Sequence, residues 1–276
     1  MPITLSSGSR VLDISRPAIM GILNATPDSF YNRGRDSGAD ALLKTAEKML
    51  LAGASILDIG GASTKPGQGL VSTDEELRRV MPVVNAISAA FPEAWLSIDT
   101  YNAKVAAETV QAGVCIVNDV SSGRFDAAML PTVAALNVPY IAMHMQGTPM
   151  DMQADPRYDD VVKEVYDHLS DVCARCVNAG INNIIVDPGF GFGKTVAHNF
   201  SLLRSLHTFR SLGRPVLAGI SRKSMICKAL KVNPEHALNG TTALHMIALQ
   251  QGADILRVHD VKEAVEVVTL FEWLKG

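Results

Sequence analysis

The residues best suited to chemistry in this sequence stand at short polar breaks that follow apolar runs. The clearest is Ile184-Ile185-Val186, which leads into Asp187-Pro188-Gly189-Phe190-Gly191-Phe192-Gly193-Lys194-Thr195. A β-branched run that ends at an acid and opens into glycines spaced by aromatics puts a carboxylate where a buried strand becomes a ligand-sized loop. In an α/β protein the chemistry is placed at such strand ends. The glycines do not form a phosphate loop. Counting back from Gly193-Lys194-Thr195, Pro188 stands where a Walker A motif needs its first glycine, and Lys194 replaces the last glycine of a GxGxxG pattern. Taken alone, the stretch reads equally well as a tight turn.

The other apolar runs end in the same manner. Their ends are Asn24, Asp58-Ile59-Gly60-Gly61, Asp99-Thr100, Asn118-Asp119, His144-Met145-Gln146, Gly219-Ile220-Ser221-Arg222-Lys223 and Arg257-Val258-His259-Asp260. One Asp or Asn at such a place is often only a helix N-cap, but a polar end on every run calls for a shared site. The cations Arg222, Lys223, Arg257 and His259 lie together late in the chain and, with Lys65, could hold a phosphate or diphosphate. Asp99 and Asp187 with the carboxamide of Asn118 suit the donor edge of a guanidine-like heterocycle such as a pterin or guanine. The two groups together point to a substrate that joins a heterocycle to a diphosphate. A plainer alternative pairs Arg257 with Asp260 and leaves Asp58 as a cap.

These residues need elements to position them. After a hairpin-like start over residues 3–12, strand patterns at 18–23, 55–59, 94–98, 115–117, 139–143, 183–186, 215–218 and 254–257 alternate with helical patterns. The helical segments fall at 39–51, 74–91, 103–112, 127–136, 158–179, 198–212, 241–250 and 262–274, and Gly53, Gly113, Gly180, Gly213 and Gly252 stand where helix C-caps belong. Eight strand–helix units without a linker or low-complexity stretch predict a single (β/α)8 barrel over residues 1–276, whose strand ends converge on one face. Two long loops, 26–38 and 62–73, would reach over that face as lids.

Composition narrows the partners. With 25 Lys plus Arg against 28 Asp plus Glu the net charge is −3, which gives no reason to expect nucleic acid or an anionic membrane, so a small molecule is the expected ligand. No run approaches the ~20 apolar residues of a membrane span, and the polar residues 1–10 lack a signal-peptide core, which predicts a cytoplasmic protein. Cys173 and Cys176 are the one close cysteine pair and have no second pair with which to bind zinc, so Cys115, Cys173, Cys176 and Cys227 are expected as free thiols.

Five stretches taken together are recognisable: Gly21-Ile22-Leu23-Asn24-Ala25-Thr26-Pro27-Asp28-Ser29-Phe30, Gly60-Gly61-Ala62-Ser63-Thr64-Lys65-Pro66-Gly67, residues 187–194, Ser221-Arg222-Lys223-Ser224 and Arg257-Val258-His259-Asp260. Their conjunction, in order and along essentially the whole chain, resembles the dihydropteroate synthase family. The resemblance implies a barrel that joins 4-aminobenzoate to 6-hydroxymethyl-7,8-dihydropterin diphosphate, releasing diphosphate and forming dihydropteroate, a folate precursor, through a pterin-stabilised cation. It implies pterin binding by Asp99, Asn118, Asp187, Lys223, Met143 and Gly219, with Asp99, Lys223 and Asp187 in catalytic roles. It further implies diphosphate binding by Asn24, Lys65, Arg257 and His259, with Asn24 acting through Mg²⁺, and aminobenzoate binding by Thr64, Pro66, Phe192, Lys223, Ser224 and Phe30. A homodimer and a sulfonamide target are implied as well. The sequence departs from the family pattern at Ala62 and Lys65, where Glu and Arg are usual, and at Tyr31-Asn32-Arg33-Gly34, where Arg33 could supply the missing guanidinium. Two other readings are a pterin-binding methyltransferase domain, disfavoured by Lys223-Ser224 and the lack of a corrinoid domain, and a non-catalytic pterin-binding paralogue.

Overall fold

The computed structural model describes residues 3–25, 38–62, 69 and 71–276. Phe30, Arg33, Thr64, Lys65 and Pro66, and most of the two long loops, lie outside the described residues. The expected hairpin is present as β1 (Thr4–Ser7) and β2 (Arg10–Asp13), paired antiparallel. Eight strands follow: β3 (Ala18–Asn24), β4 (Ile56–Gly60), β5 (Trp95–Asp99), β6 (Ile116–Asp119), β7 (Tyr140–Met143), β8 (Ile184–Asp187), β9 (Leu217–Ala218) and β10 (Ile255–Val258). They pair in parallel in the order β8-β7-β6-β5-β4-β3-β10-β9, and the bridge between Val186 and Val216 closes the ring. The fold is the predicted (β/α)8 barrel.

Nine α-helices occur among the described residues: α1 (Gly38–Leu51), α2 (Thr73–Ala90), α3 (Ala103–Gln111), α4 (Met129–Leu136), α5 (Val161–Ala179), α6 (Val196–Arg204), α7 (Ser224–Leu230), α8 (Leu238–Gln250) and α9 (Val261–Lys275). Two departures from the sequence pattern matter. The segment expected as one helix over 198–212 breaks at Ser205 into α6 and a 3-10 turn, Leu206–Leu212, and the short α7 was not expected at all. The five predicted cap glycines all have positive φ, between 66° at Gly213 and 111° at Gly113. All four cysteines are free, and no helix of the described residues is long and apolar enough to cross a membrane.

The strands separate two apolar layers because successive side chains point to opposite faces. One set, including Leu57, Val117, Tyr140, Val186 and Leu256, packs outward against the helices. The alternate set, Met20, Ile56, Trp95, Ile116, Ile141, Ile185, Leu217 and Ile255, fills the barrel interior, and Leu5 of β1 with Ile14, just after β2, covers it from below. The hairpin thus shuts one mouth of the barrel, and the opposite mouth carries the polar residues.

Candidate active site

Each interior apolar residue shares its face with the residues two and four positions further along its strand, and these form the floor of the open mouth. Counting on from Ile56, Ile116, Ile141, Ile185, Leu217 and Ile255 gives Asp58, Asn118, Met143, Asp187, Gly219 and Arg257. One further step on the strands that begin earlier gives Asn24, reached from Met20, and Asp99, reached from Trp95. The register agrees, pairing Asn24 with Gly60, Gly60 with Asp99, and Asp99 with Asn118. The chain therefore delivers seven of its predicted pterin and diphosphate groups by strand periodicity alone.

Arg257 is the hub of the floor. Its Nε donates to Asp58 Oδ2 at 2.6 Å and one Nη to Asp99 Oδ2 at 2.7 Å, while Asn118 Nδ2 donates to the same Asp58 oxygen at 3.1 Å. Burial pushes the Asp99 carboxyl up, the Arg257 guanidinium pulls it back down, and Asp58 raises it again. Because the Asn118 amino group faces Asp58, its carbonyl oxygen is the end left to accept from a ligand. Asp58 itself is wholly buried, and its Oδ1 has no hydrogen-bond partner among the described residues. It is a structural anion that orients Arg257 and Asn118, and the helix-cap alternative fails. The alternative pairing of Arg257 with Asp260 fails too. Asp260 instead takes Arg222, whose Nε and Nη2 donate at 2.7 and 2.8 Å and whose Nη1 donates to the carbonyls of Pro234 and Glu235. Arg222 is thereby withdrawn from the anion cluster expected from the sequence.

Asp187 and Lys223 make up the opposite wall. Asp187 Oδ1 accepts from the Gly189 amide at 2.7 Å, and its carboxyl is raised by burial against the lowering effect of Lys223. Gly219 has no side chain to fill the space between them: a Cβ there would lie 3.8 Å from Lys223 Nζ and 3.9 Å from both Asp187 Oδ2 and Arg257 Cβ. Lys223 Nζ donates to the Phe190 carbonyl and sits 4.7 Å from the centre of the Phe192 ring. Desolvation, the largest effect, pushes its ammonium down to about 8 against the pull of Asp187. Met143 is buried beside Phe192 in a small apolar cluster with Tyr101, Val120, Met145 and Met152, against which Ala62 also packs.

The rim holds the remaining predicted residues. His259 is exposed, with Nδ1 3.0 Å from Ser221 Oγ, and Ser224 is exposed at the first turn of α7. Asn24 is exposed at the end of β3, and a Cβ built on Gly60 would lie 3.5 Å from Asp99 Cβ and 3.9 Å from Asn24 Oδ1. The residues that sequence reasoning undervalued are Asp58 and the Phe190 carbonyl. The two-residue step from Ile56 signals the first, whereas a backbone acceptor leaves no mark in residue type.

The pterin binding enzyme family matches residues 20–259, most of the chain. The chain is 47% identical over 263 residues to the dihydropteroate synthase of Escherichia coli (strain K12), covering 95% of this chain and 93% of that one. Among solved structures, that of Yersinia pestis dihydropteroate synthase with a sulfonamide drug superposes with a TM-score of 0.93 at 45% identity, covering 99% of both chains. Xanthomonas albilineans dihydropteroate synthase with 4-aminobenzoic acid gives a TM-score of 0.94 at 40% identity, covering 100% of this chain and 99% of that one.

Proposed function

The chain belongs to the pterin-binding enzyme family, among its dihydropteroate synthases, and from that premise we propose how its residues carry the reaction. The reaction condenses 6-hydroxymethyl-7,8-dihydropterin diphosphate with 4-aminobenzoate, giving 7,8-dihydropteroate and diphosphate in folate biosynthesis. The observation that carries the residue assignment is the convergence of Asp99, Asn118, Asp187, Lys223 and Arg257 at one mouth of the barrel.

Asp187 Oδ2 and the Asn118 carbonyl oxygen accept from the pterin's amino and ring N–H groups, with Lys223, Met143 and Gly219 completing the ring's surroundings. The diphosphate end meets Arg257, His259 and Asn24. Arg257 has Nε and one Nη2 hydrogen engaged by acids, so Nη1 is left to turn to the anion. As diphosphate leaves the exocyclic methylene, Arg257 and His259 stabilise the charge on the leaving group, and the Asp99 carboxylate favours the pterin-conjugated cation left behind. The aniline nitrogen of 4-aminobenzoate, a weak nucleophile, then attacks that cation. Phe192, Lys223 and Ser224 frame it, and Thr64, Pro66, Phe30 and Lys65 belong to the same proposal from their motifs alone.

Mg²⁺ fits the site's chemistry. The Asn24 carboxamide oxygen is a hard donor beside Asp99, while no group of three or more His, Cys, Asp or Glu among the described residues makes a cage, so substrate phosphate and water would supply most ligands. When bound, the ion would neutralise charge on the leaving diphosphate. A single domain over residues 1–276, a cytoplasmic homodimer, with exposed Leu230 on α7 and Ile247 on α8 as apolar contact surface, and inhibition by sulfonamides complete the reading.

The test is a turnover assay with both substrates, with and without Mg²⁺. Formation of dihydropteroate and diphosphate only with Mg²⁺ supports the assignment. Tight pterin binding without turnover would identify a non-catalytic paralogue.

A further inference from the structure

Lys194 follows the last glycine of the loop after β8 and is 3% exposed, yet it pairs with no carboxylate among the described residues. Its Nζ lies 2.8 Å from His144 Nδ1, 2.9 Å from the Gly189 carbonyl and 3.0 Å from the Phe192 carbonyl, with the His144 carbonyl further off at 3.4 Å. Two of its protons go to the loop carbonyls, and between Nζ and His144 Nδ1 either nitrogen can be the donor, so a charged lysine and a neutral one both satisfy the contacts, while burial lowers the ammonium well below its ordinary range. His144 is held neutral, pushed down to about 2 by burial and then by Lys194.

The loop that Lys194 closes is the one that seats the site's other buried lysine. Gly189 has φ +71° and its position lies so close to His144 that a Cβ would stand 1.9 Å from the His144 carbonyl, while a Cβ on Gly193, φ +62°, would stand 2.5 Å from the Gln146 carbonyl. The glycines let the loop press against the end of β7, and Lys194 ties its two ends together from inside. The amide of Gly189 then points at Asp187 Oδ1, the Phe190 carbonyl accepts from Lys223, and the Phe192 ring lies over the same ammonium. The two lysines share the field of Asp187, which favours the charged form of each.

We infer that Lys194 is a positioning residue: an internal donor that shapes residues 189–193 into the seat of Lys223 and, without touching substrate, fixes the wall between the pterin and aminobenzoate sites. The inference rests on the assignment of Lys223 and Phe192 to those sites.

Lys194→Met keeps the length and apolar bulk and removes every donor. The expected result is a rise of about tenfold in KM for 4-aminobenzoate and a move of the alkaline limb of kcat/KM upward from about pH 8, because a loosened seat rehydrates Lys223. A variant with a lower melting temperature but an unmoved limb and unchanged KM would reduce Lys194 to a structural role and overturn the inference. Should the variant not fold, the parent protein decides. Nitrogen-detected NMR of its lysine side chains should show a slowly exchanging Lys194 in contact with the Gly189 and Phe192 backbone and shifting when a pterin analogue is added. A rapidly exchanging Lys194 without those contacts overturns the inference. Failure of the parent to bind a pterin analogue in calorimetry would instead fault the site assignment on which it rests.

Discussion

Asp187 commits one carboxylate oxygen to the Gly189 amide, which leaves the other facing the mouth beside Gly219. Asp187→Asn keeps the size but sets an amino group against one of two donors, the Gly189 amide or the pterin. The loss of a buried acceptor is worth about 1–3 kcal/mol, so calorimetry with a pterin analogue should show affinity falling about tenfold or more with the fold intact. Lys223 gives a second expectation. Its ammonium, lowered to about 8 chiefly by desolvation, is charged at neutrality and loses its proton as the pH rises, so kcat/KM should decline through about pH 8. A profile flat to pH 9.5 would remove Lys223 from the rate-determining groups. Residue type revealed most of this cluster, because Asp, Asn, Lys and Arg at the ends of apolar runs announce themselves. It did not reveal which acid serves which cation. Arg222 and Arg257 sit at equivalent-looking strand ends, and only the packed structure shows that Asp260 holds the first while Asp58 and Asp99 hold the second.

At the scale of the element, the strands were legible to within a residue or two. Their apolar runs are short, rich in β-branched residues and broken by polar ends, and burial on both faces removes ambiguity about the period. The helices were less so. The pattern across 198–212 continues its apolar spacing through Ser205, so nothing in the sequence marks the change to the tighter 3-10 turn that lets Leu206 and Phe209 both reach the core. The helix α7 is too short for a period to show, and its N-cap residue, Lys223, has no capping side chain because that side chain is turned into the site. The loop after β8 is the element on which the site most depends. Gly189→Ala would place a methyl group against the His144 carbonyl at a left-handed φ, and neither backbone can yield without moving a strand end. A loss on the order of 3 kcal/mol is expected, seen as a melting temperature lower by roughly 5–10 °C, together with loss of pterin binding through Asp187. A variant with parental stability would show the loop to be more yielding than its packing implies.

At the scale of the whole molecule, buried histidines tie stability to pH. His245 on α8 is 1% exposed, and neither ring nitrogen has a hydrogen-bond partner among the described residues; burial holds it down to about 4. The unfolded chain takes up this proton near 6.5 and the folded chain only near 4, so between these values the unfolded state binds more protons. The contribution is complete above 6.5 and is lost as the pH falls through that window, at up to about 1.4 kcal/mol per pH unit. His245→Leu removes both the unpartnered nitrogens and the titration. Its melting temperature should therefore exceed the parent's at pH 8, and by a wider margin at pH 5, as calorimetry would show; an equal margin at both would mean that the ring protonates freely in the fold. The barrel as a whole has a property that no single residue has. Because the apolar interior and the polar mouth lie an even number of steps apart on the same strands, each strand has parity. A slip of one residue in any of them would not blur the site but invert that strand's share of it, turning an acid outward among helices and an isoleucine inward among ligands. A strand out of register thus brings the wrong chemistry to the mouth, and the site is complete only where all eight strands agree on where they are.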